Sequence, residues 1–187
     1  MKKLAISFGR LFLTIGLCLI SKNSFSQEVK LSSQEQRAAM EAERYANYQI
    51  IDSLVTGQNF VLKADFLKNQ YSDRVIVTPT LNFIRVDSSV AVLQTGAISS
   101  LGYNSVGGVT AEGKITSWKL VSNSKNFSLF LQFSVLTNIG SYDVSLNVDS
   151  NNNADARISG LYGGTLIYEG HLETIPNSGV YKGQNSI

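Results

Sequence analysis

Glu169, His171 and Glu173 alternate with Gly170 and Leu172 near the end of the chain. Side chains of an extended strand alternate between its two faces, so these three point the same way. Two carboxylates beside an imidazole can hold a metal ion or relay a proton. Only three ligands are in view, however, and successive residues on one strand face stand about 7 Å apart. The pattern equally describes a solvated strand face, and that is the reading we adopt. His171 is the single histidine, which excludes histidine-cluster metal sites and two-histidine mechanisms. A Ser-His-Asp site would have to use it, and no Gly-x-Ser-x-Gly elbow is present. Paired-acid glycoside chemistry needs two acids facing one cleft. The acids here, Asp155 among them, fall mostly on predicted wet faces and on a helix. No catalytic residue and no metal ligand is assigned, and no cofactor is expected.

Two further patterns resemble known binding loops and depart from them at decisive positions. Asp149, Asn151, Asn153 and Asp155 place oxygens at every second residue, as a calcium loop does. The sixth position, which should be glycine, is Ala154, and the twelfth, which should be glutamate, is Gly160. A hairpin tip is the better reading, because asparagine tolerates turn conformations. Gly108 to Ile115 runs Gly-Val-Thr-Ala-Glu-Gly-Lys-Ile, one residue short of a phosphate loop. That motif needs Ser or Thr after the lysine and a helix to follow. Ile115 stands there instead, and the residues that follow read as a strand.

The elements that must position these residues begin with a leader. Lys2, Lys3 and Arg10 precede the apolar run Leu11 to Ile20, and Ser24-Phe25-Ser26 offers a small-x-small site before Gln27. This is the anatomy of a signal peptide, and the run is half the length of a bilayer span. Residues 1–26 are expected to be removed on export to the periplasm or the medium. The alternative is a lipid anchor at Cys18, but Leu17 stands where a lipobox wants a small residue. The chain of 187 residues carries a formal +2. Its leader holds four of the sixteen bases and no acid, so the mature part has twelve bases against fourteen acids and a net of −2. Such a chain has no phosphate-binding stripe, which argues against nucleic acid. One cysteine allows no internal disulfide, and it leaves with the leader.

The stretch 27–58 reads as a helix. Ser32 and Glu35 make a capping box, Ala38, Ala42, Ala46, Ile50 and Leu54 recur every four residues, Ala39, Tyr45 and Ile51 widen that stripe, and Gly57 is a stop. From Asn59 the period becomes two. About eight strands follow within 59–175, mostly joined by short turns, which forces antiparallel neighbours. The expected fold is mainly β (α+β), a sandwich or rolled barrel of about eight antiparallel strands with one N-terminal helix. Residues 176–187 lack a core pattern and read as a loosely held tail.

Some apolar residues fall on faces otherwise given to solvent: Phe130, Leu136, Ile167 and, relative to Ile115 and Val121, Trp118. Either the helix or a second sheet covers them, or they mark a patch or cavity for a partner or apolar ligand. A ligand would sit in a barrel mouth or under the Gly-rich connection Thr95 to Gly113. The candidate ligand-binding residues are Tyr103, Gly107, Gly108 and Trp118.

The order of features resembles the exported bacterial domain-of-unknown-function family 4251. The resemblance rests on Asn59 to Ala64, Asp87 to Leu93, the Gly107-Gly108-Val109 loop, Gly113-Lys114-Ile115 and the ending Ile167-Tyr168-Glu169-Gly170. It covers roughly residues 40–173 and implies export and one compact domain, with no catalytic or binding residues to transfer. The expectation is therefore a non-enzymatic exported protein that binds an envelope partner or an apolar small molecule. The alternatives are a hydrolase using acids near His171 and a self-assembling structural protein with an exposed strand edge.

Overall fold

The structure is a computed structural model, and it describes residues 32–96, 107–160 and 164–186. The chain divides into two compact units, residues 1–37 and 38–187. The described part of the first is the start of helix α1 (Ser33–Thr56). There the capping box forms as its residue types require: the Ser32 N–H donates to Glu35 Oε2 at 2.8 Å, and the Glu35 N–H donates to Ser32 Oγ at 3.3 Å.

The second unit is a β-barrel. Its strands are β1 (Asn59–Asn69), β2 (Arg74–Ile76), β3 (Phe83–Asp87), β4 (Val90–Gln94), β5 (Thr110–Asn123), β6 (Ser128–Thr137), β7 (Gly140–Val148), β8 (Ala154–Gly160) and β9 (Thr165–Glu173). Each strand from β3 to β9 pairs antiparallel with the next, and β9 returns to pair with β1, so β1 and β3 to β9 close an eight-stranded ring. Strand β2 lies outside the ring and extends the edge of β1 beyond the end of β3. The expected choice between sandwich and barrel is thus decided for the barrel.

Eight strands enclose a space just wide enough for side chains or for one small ligand. The inward set is the apolar phase of each strand, including Phe60, Leu62, Leu131, Phe133, Val144, Leu146 and Tyr168, all buried. Tyr48, Ile51 and Val55 of α1 belong to the same core cluster and close one end of the barrel. Each contributes about 1.5–3 kcal/mol on burial. Ala91 and Ala154 stand at that end and leave room for these bulkier side chains. The seat is fastened at its rim by Arg44 Nε donating to Ser150 Oγ, and by Ser122 Oγ donating to Asp52 Oδ1 (both 2.9 Å).

Two details of α1 differ from the sequence reading. The alanines Ala38, Ala42 and Ala46 are exposed, and so is Ile50. The buried stripe is Tyr48, Ile51 and Val55, spaced i, i+3, i+7, so of the expected stripe Ile51 is buried and Leu54 packs partly on the core, because larger side chains bury more apolar area per contact. The left-handed residue after the helix is Gln58 (φ 50°) rather than Gly57.

Trp118 receives its explanation from register. The β5–β6 ladder slips between Ile115 and Ser117, a β-bulge that reverses the phase of the strand. Ile115, Trp118 and Leu120 all pack on the core, the Trp118 ring 5.4 Å from that of Phe133, and Val121 is turned outward. Phe130 and Ile167 remain on the outer wall, half-buried, and Leu136 there is exposed. All nine described strands belong to one sheet, so among the described residues no second sheet covers these side chains.

The tail is held, contrary to the sequence reading. After β9 a short helix α2 (Ile175–Ser178) and the following residues cross the outside of β1, β3 and β4. Ile175 and Val180 cover Val61, Phe83 and Val92, the outward apolar residues of those strands. The fastening point is Gln94, which is fully buried. Its Nε2 donates to the carbonyls of Leu81 (3.1 Å) and Tyr181 (2.8 Å). Its Oε1 accepts from the Gly183 N–H (2.8 Å) and the Thr110 hydroxyl (2.9 Å). Every hydrogen-bonding position of the amide is used. A polar, pattern-free tail is therefore ordered by backbone and amide bonds, which leave no hydrophobic period in the sequence.

Candidate functional site

The end of the barrel opposite α1 holds a cavity of about 380 Å³. Leu93, Ala111, Ile158, Leu166 and Tyr168 line its inner part, and Thr95, Val109, Ile139, Gly140 and Thr165 surround its mouth. The sequence leaves this space open by residue size. Towards α1 the inward positions carry Phe60, Leu129, Leu131 and Leu146, whereas the mouth carries Ala111, Gly140, Gly160 and Gly164. Tyr142 lies directly opposite Gly160 in the β7–β8 ladder, and its ring fills the place of the missing side chain, 3.0 Å from where a Cβ would stand. That ring is one wall of the cavity.

Among the described residues, the lining has no charged side chain. The Tyr168 and Thr95 hydroxyls are engaged with the protein. The Tyr168 hydroxyl donates to the Gln94 carbonyl at 3.0 Å, and burial holds its pKa far above the usual tyrosine range. Thr95 Oγ1 accepts the Val109 N–H at 3.2 Å, while the Thr95 N–H donates to the Val109 carbonyl at 2.9 Å, pinning the base of the β4–β5 connection. The described lining offers mainly apolar contact and shape.

The four residues proposed from sequence as ligand-binding are placed differently from one another. Tyr103 lies outside the described residues. Gly107 takes a left-handed turn (φ 79°) just before the mouth. Gly108 passes so close to Thr95 that a Cβ there would overlap the Thr95 carbonyl. Both glycines shape the rim. Trp118 lies deeper, against Phe133, and is not part of the lining. The residues that do line the cavity were legible only as strand ends, since smallness at a barrel mouth has no local signature.

His171 is on the outer wall and 37% exposed, its Nδ1 3.4 Å from Asp65 Oδ2 and its Nε2 3.2 Å from Glu173 Oε1. Lys63 Nζ also reaches Glu173 Oε1, at 3.4 Å. Half-exposed pairs of this kind contribute little, so His171→Ala is expected to change folding stability by less than about 1 kcal/mol, read by urea denaturation. A larger loss would make this cluster part of the barrel's structural closure. Asp149 is an internal acceptor: its Oδ1 takes the N–H groups of Asn151 (2.8 Å) and Asn153 (2.9 Å), its Oδ2 the Asn153 side-chain amide (2.8 Å). Asn152, at φ 64°, turns the hairpin. The Asp149 oxygens of the calcium-like pattern thus build a turn, and among the described residues no three metal-ligating side chains come together. The phosphate-loop pattern leads into β5, with no helix after it.

A second, polar groove of about 370 Å³ runs over the outer wall of β7, β8, β9 and β1, lined by Asn147, Asp155, Arg157, Ile167, Glu169 and Lys68 among others. Asp155 and Glu169 are direct cross-strand neighbours. Arg74 Nε donates to Glu169 Oε2 at 2.5 Å, with its guanidinium stacked 3.4 Å over the Phe66 ring, and Lys68 stands 3.9 Å from Glu169 Oε1. Partial burial, and then the Glu169 charge, push the Asp155 pKa up.

The profile of the family described as "Domain of unknown function (DUF4251)" matches residues 42–172. Among solved structures, that of a DUF4251 family protein from Bacteroides eggerthii is similar to this chain, with a TM-score of 0.60 at 23% identity. The alignment covers 72% of this chain and 93% of that one. No curated protein matches. Among the described residues, no helix is long and apolar enough to cross a membrane.

Proposed function

The chain belongs to the DUF4251 family, whose profile spans most of its barrel, and on that premise we propose that it is an exported, non-enzymatic binding protein that holds an apolar small molecule in the open end of the barrel. The observation that carries the reading is the apolar cavity, about 380 Å³ in volume and lined without a charged residue among those described. Its volume lies at the lower end of the range of small-molecule sites, about 300–1,000 Å³. One barrel end is filled by α1, and among the described residues the other is lined at its mouth by small side chains, an arrangement that supports a binding cup rather than a fully packed core. Export is supported by the leader-like composition of residues 1–26. Mass spectrometry of the protein recovered from its host checks it: a chain beginning at Gln27 is expected, and a retained or acylated N-terminal segment sinks the cleavage.

Binding is tested by titrating the protein with 1-naphthylamine, a small fluorophore, uncharged at neutral pH, whose emission shifts in apolar surroundings. The protein is expected to bind it saturably. Ala111→Phe fills the cavity from β5, and is expected to weaken binding by about tenfold or more, a loss worth about 1.4 kcal/mol. Unchanged binding by a folded Ala111→Phe protein places the probe elsewhere and removes the cavity from the reading.

A second reading rests on the Asp155–Glu169 pair. Two neighbouring carboxylates, one with a raised pKa and one held by Arg74 and Lys68, are a pattern used in acid–base hydrolysis. It predicts turnover of chromogenic esters or glycosides that is lost in Asp155→Asn and kept in His171→Ala. Absence of turnover across such a panel removes it.

A further inference from the structure

The binding reading leaves open what kind of molecule the cavity selects, and its lining bears on that question. We propose that the cavity selects uncharged apolar molecules of about a dozen heavy atoms and discriminates against their carboxylate counterparts, an inference that rests on the binding reading above.

Size comes from the cavity volume of about 380 Å³. At about 30 Å³ for each small group, the share of liquid volume that a water molecule takes, this accommodates roughly a dozen heavy atoms. Charge selection comes from what surrounds that volume. A carboxylate moved into apolar surroundings loses its hydration and needs a cation or several N–H donors in return. The described lining supplies no Lys, Arg or His. The Tyr168 hydroxyl donates its proton to the Gln94 carbonyl. The Val109 N–H at the mouth donates to Thr95 Oγ1. Lys182, the basic residue of the tail, is engaged with Glu112 on the outer face of β5. These three donors are thus committed to the protein. An uncharged ligand asks for none of them: the ring of Tyr142 and the side chains of Leu93, Ile158 and Leu166 offer dispersion contact alone.

The position of Ile139 gives the inference a second handle. It is half-buried in the β6–β7 turn, at the mouth. A longer cationic side chain there can extend towards solvent without entering the packed core.

The test is displacement of 1-naphthylamine by a matched pair, methyl decanoate and decanoate, at neutral pH. In the wild-type protein methyl decanoate is expected to displace the probe at a concentration about tenfold or more below that of decanoate. In Ile139→Arg the preference is expected to narrow or invert, because a guanidinium now meets the carboxylate at the mouth. Equal or tighter binding of decanoate by the wild-type protein overturns the charge selection. A preference that is unchanged in Ile139→Arg, with the variant folded by circular dichroism, overturns the assignment of that selection to this mouth. Displacement by neither compound while the probe still binds overturns the size and class inference and leaves the binding reading standing. Failure of the probe itself to bind overturns the binding reading, and this inference with it.

Discussion

Gly170→Ala is expected to remove about 3 kcal/mol of folding stability, the upper part of the range for forced overpacking. Gly170 pairs with Ala64 in the β1–β9 ladder, the seam at which the ring closes. The ladder slips immediately beyond that pair, between Ala64 and Phe66. At this bulge the two backbones approach so closely that a Cβ on residue 170 would overlap the Lys63 carbonyl oxygen and stand 3.0 Å from the Ala64 Cα. Neither obstacle is a flexible side chain, so relief requires the strands to part. Glycine in a strand interior marks such close approaches. A domain of this kind is stable by only about 5–15 kcal/mol, so the loss is a large fraction of the whole. The comparison that isolates the effect is Gly164→Ala, just before the same strand, where a Cβ would meet nothing within 4 Å. That variant is expected to stay within about 0.5 kcal/mol of wild type. Urea denaturation of both variants reads the difference, and equal stabilities would show that the seam adjusts freely.

The second large effect is expected at Gln94. Gln94→Met keeps the length of the side chain and removes all four of its hydrogen bonds. The Leu81 carbonyl lies inside the strap and loses its donor, and the tail loses its bonds to Tyr181 and Gly183. Removing the partner of a buried polar group costs about 1–3 kcal/mol each time. Groups on the tail recover water when it lifts, so the net loss is expected at about 3 kcal/mol rather than the sum of the four. Amide exchange in residues 180–186 is expected to accelerate much more than in β6 and β7. A stable variant with a protected tail would show that Ile175 and Val180, packed on Val61, Phe83 and Val92, hold the strap by themselves.

The same strap carries a pH signature. Lys182 and the Asn185 amide both donate to Glu112, and these bonds, Lys182 first, lower the Glu112 pKa below its ordinary 4.5. A carboxyl whose folded pKa is depressed stabilises the fold above its unfolded pKa, and loses that contribution as pH falls through the folded value. The tail is therefore expected to loosen on acidification below about pH 4.5. Because these groups are substantially exposed, the effect is expected to be small.

Much of the architecture is written locally. Strict alternation in Phe127 to Val135 and in Tyr142 to Val148 is enough to say which residues face inward, and Ser32 with Glu35 is enough to say where α1 begins. Strand β2 was not legible, since three exposed residues, Arg74 to Ile76, carry no alternation and exist as a strand only because β1 outruns β3. Trp118 was misplaced for the opposite reason. The pattern around it is clear, but one unpaired residue between Ile115 and Ser117 reverses it, and a bulge is set by the register of β6 rather than by the residues within it. The cavity belongs to the same class of fact. Ala111, Gly140, Gly160 and Gly164 are scattered through more than fifty residues and become one mouth only when the ring closes.

What the sequence determined by itself was everything with a short period: the change from helix to strands at Asn59, the inward face of most strands, the antiparallel order imposed by short turns, and the absence of histidine-cluster and disulfide chemistry. The tertiary structure alone decided that β9 returns to β1 about a hundred residues away, that α1 closes one end while the described residues leave a cavity at the other, and that a polar tail is fastened to Gln94. The physical reason is the kind of interaction involved. Burial of apolar side chains imposes a periodicity that can be read along the chain. Ring closure, bulges and straps are made largely by backbone hydrogen bonds and close backbone approach, which nearly any residue can supply and which only the folded geometry selects.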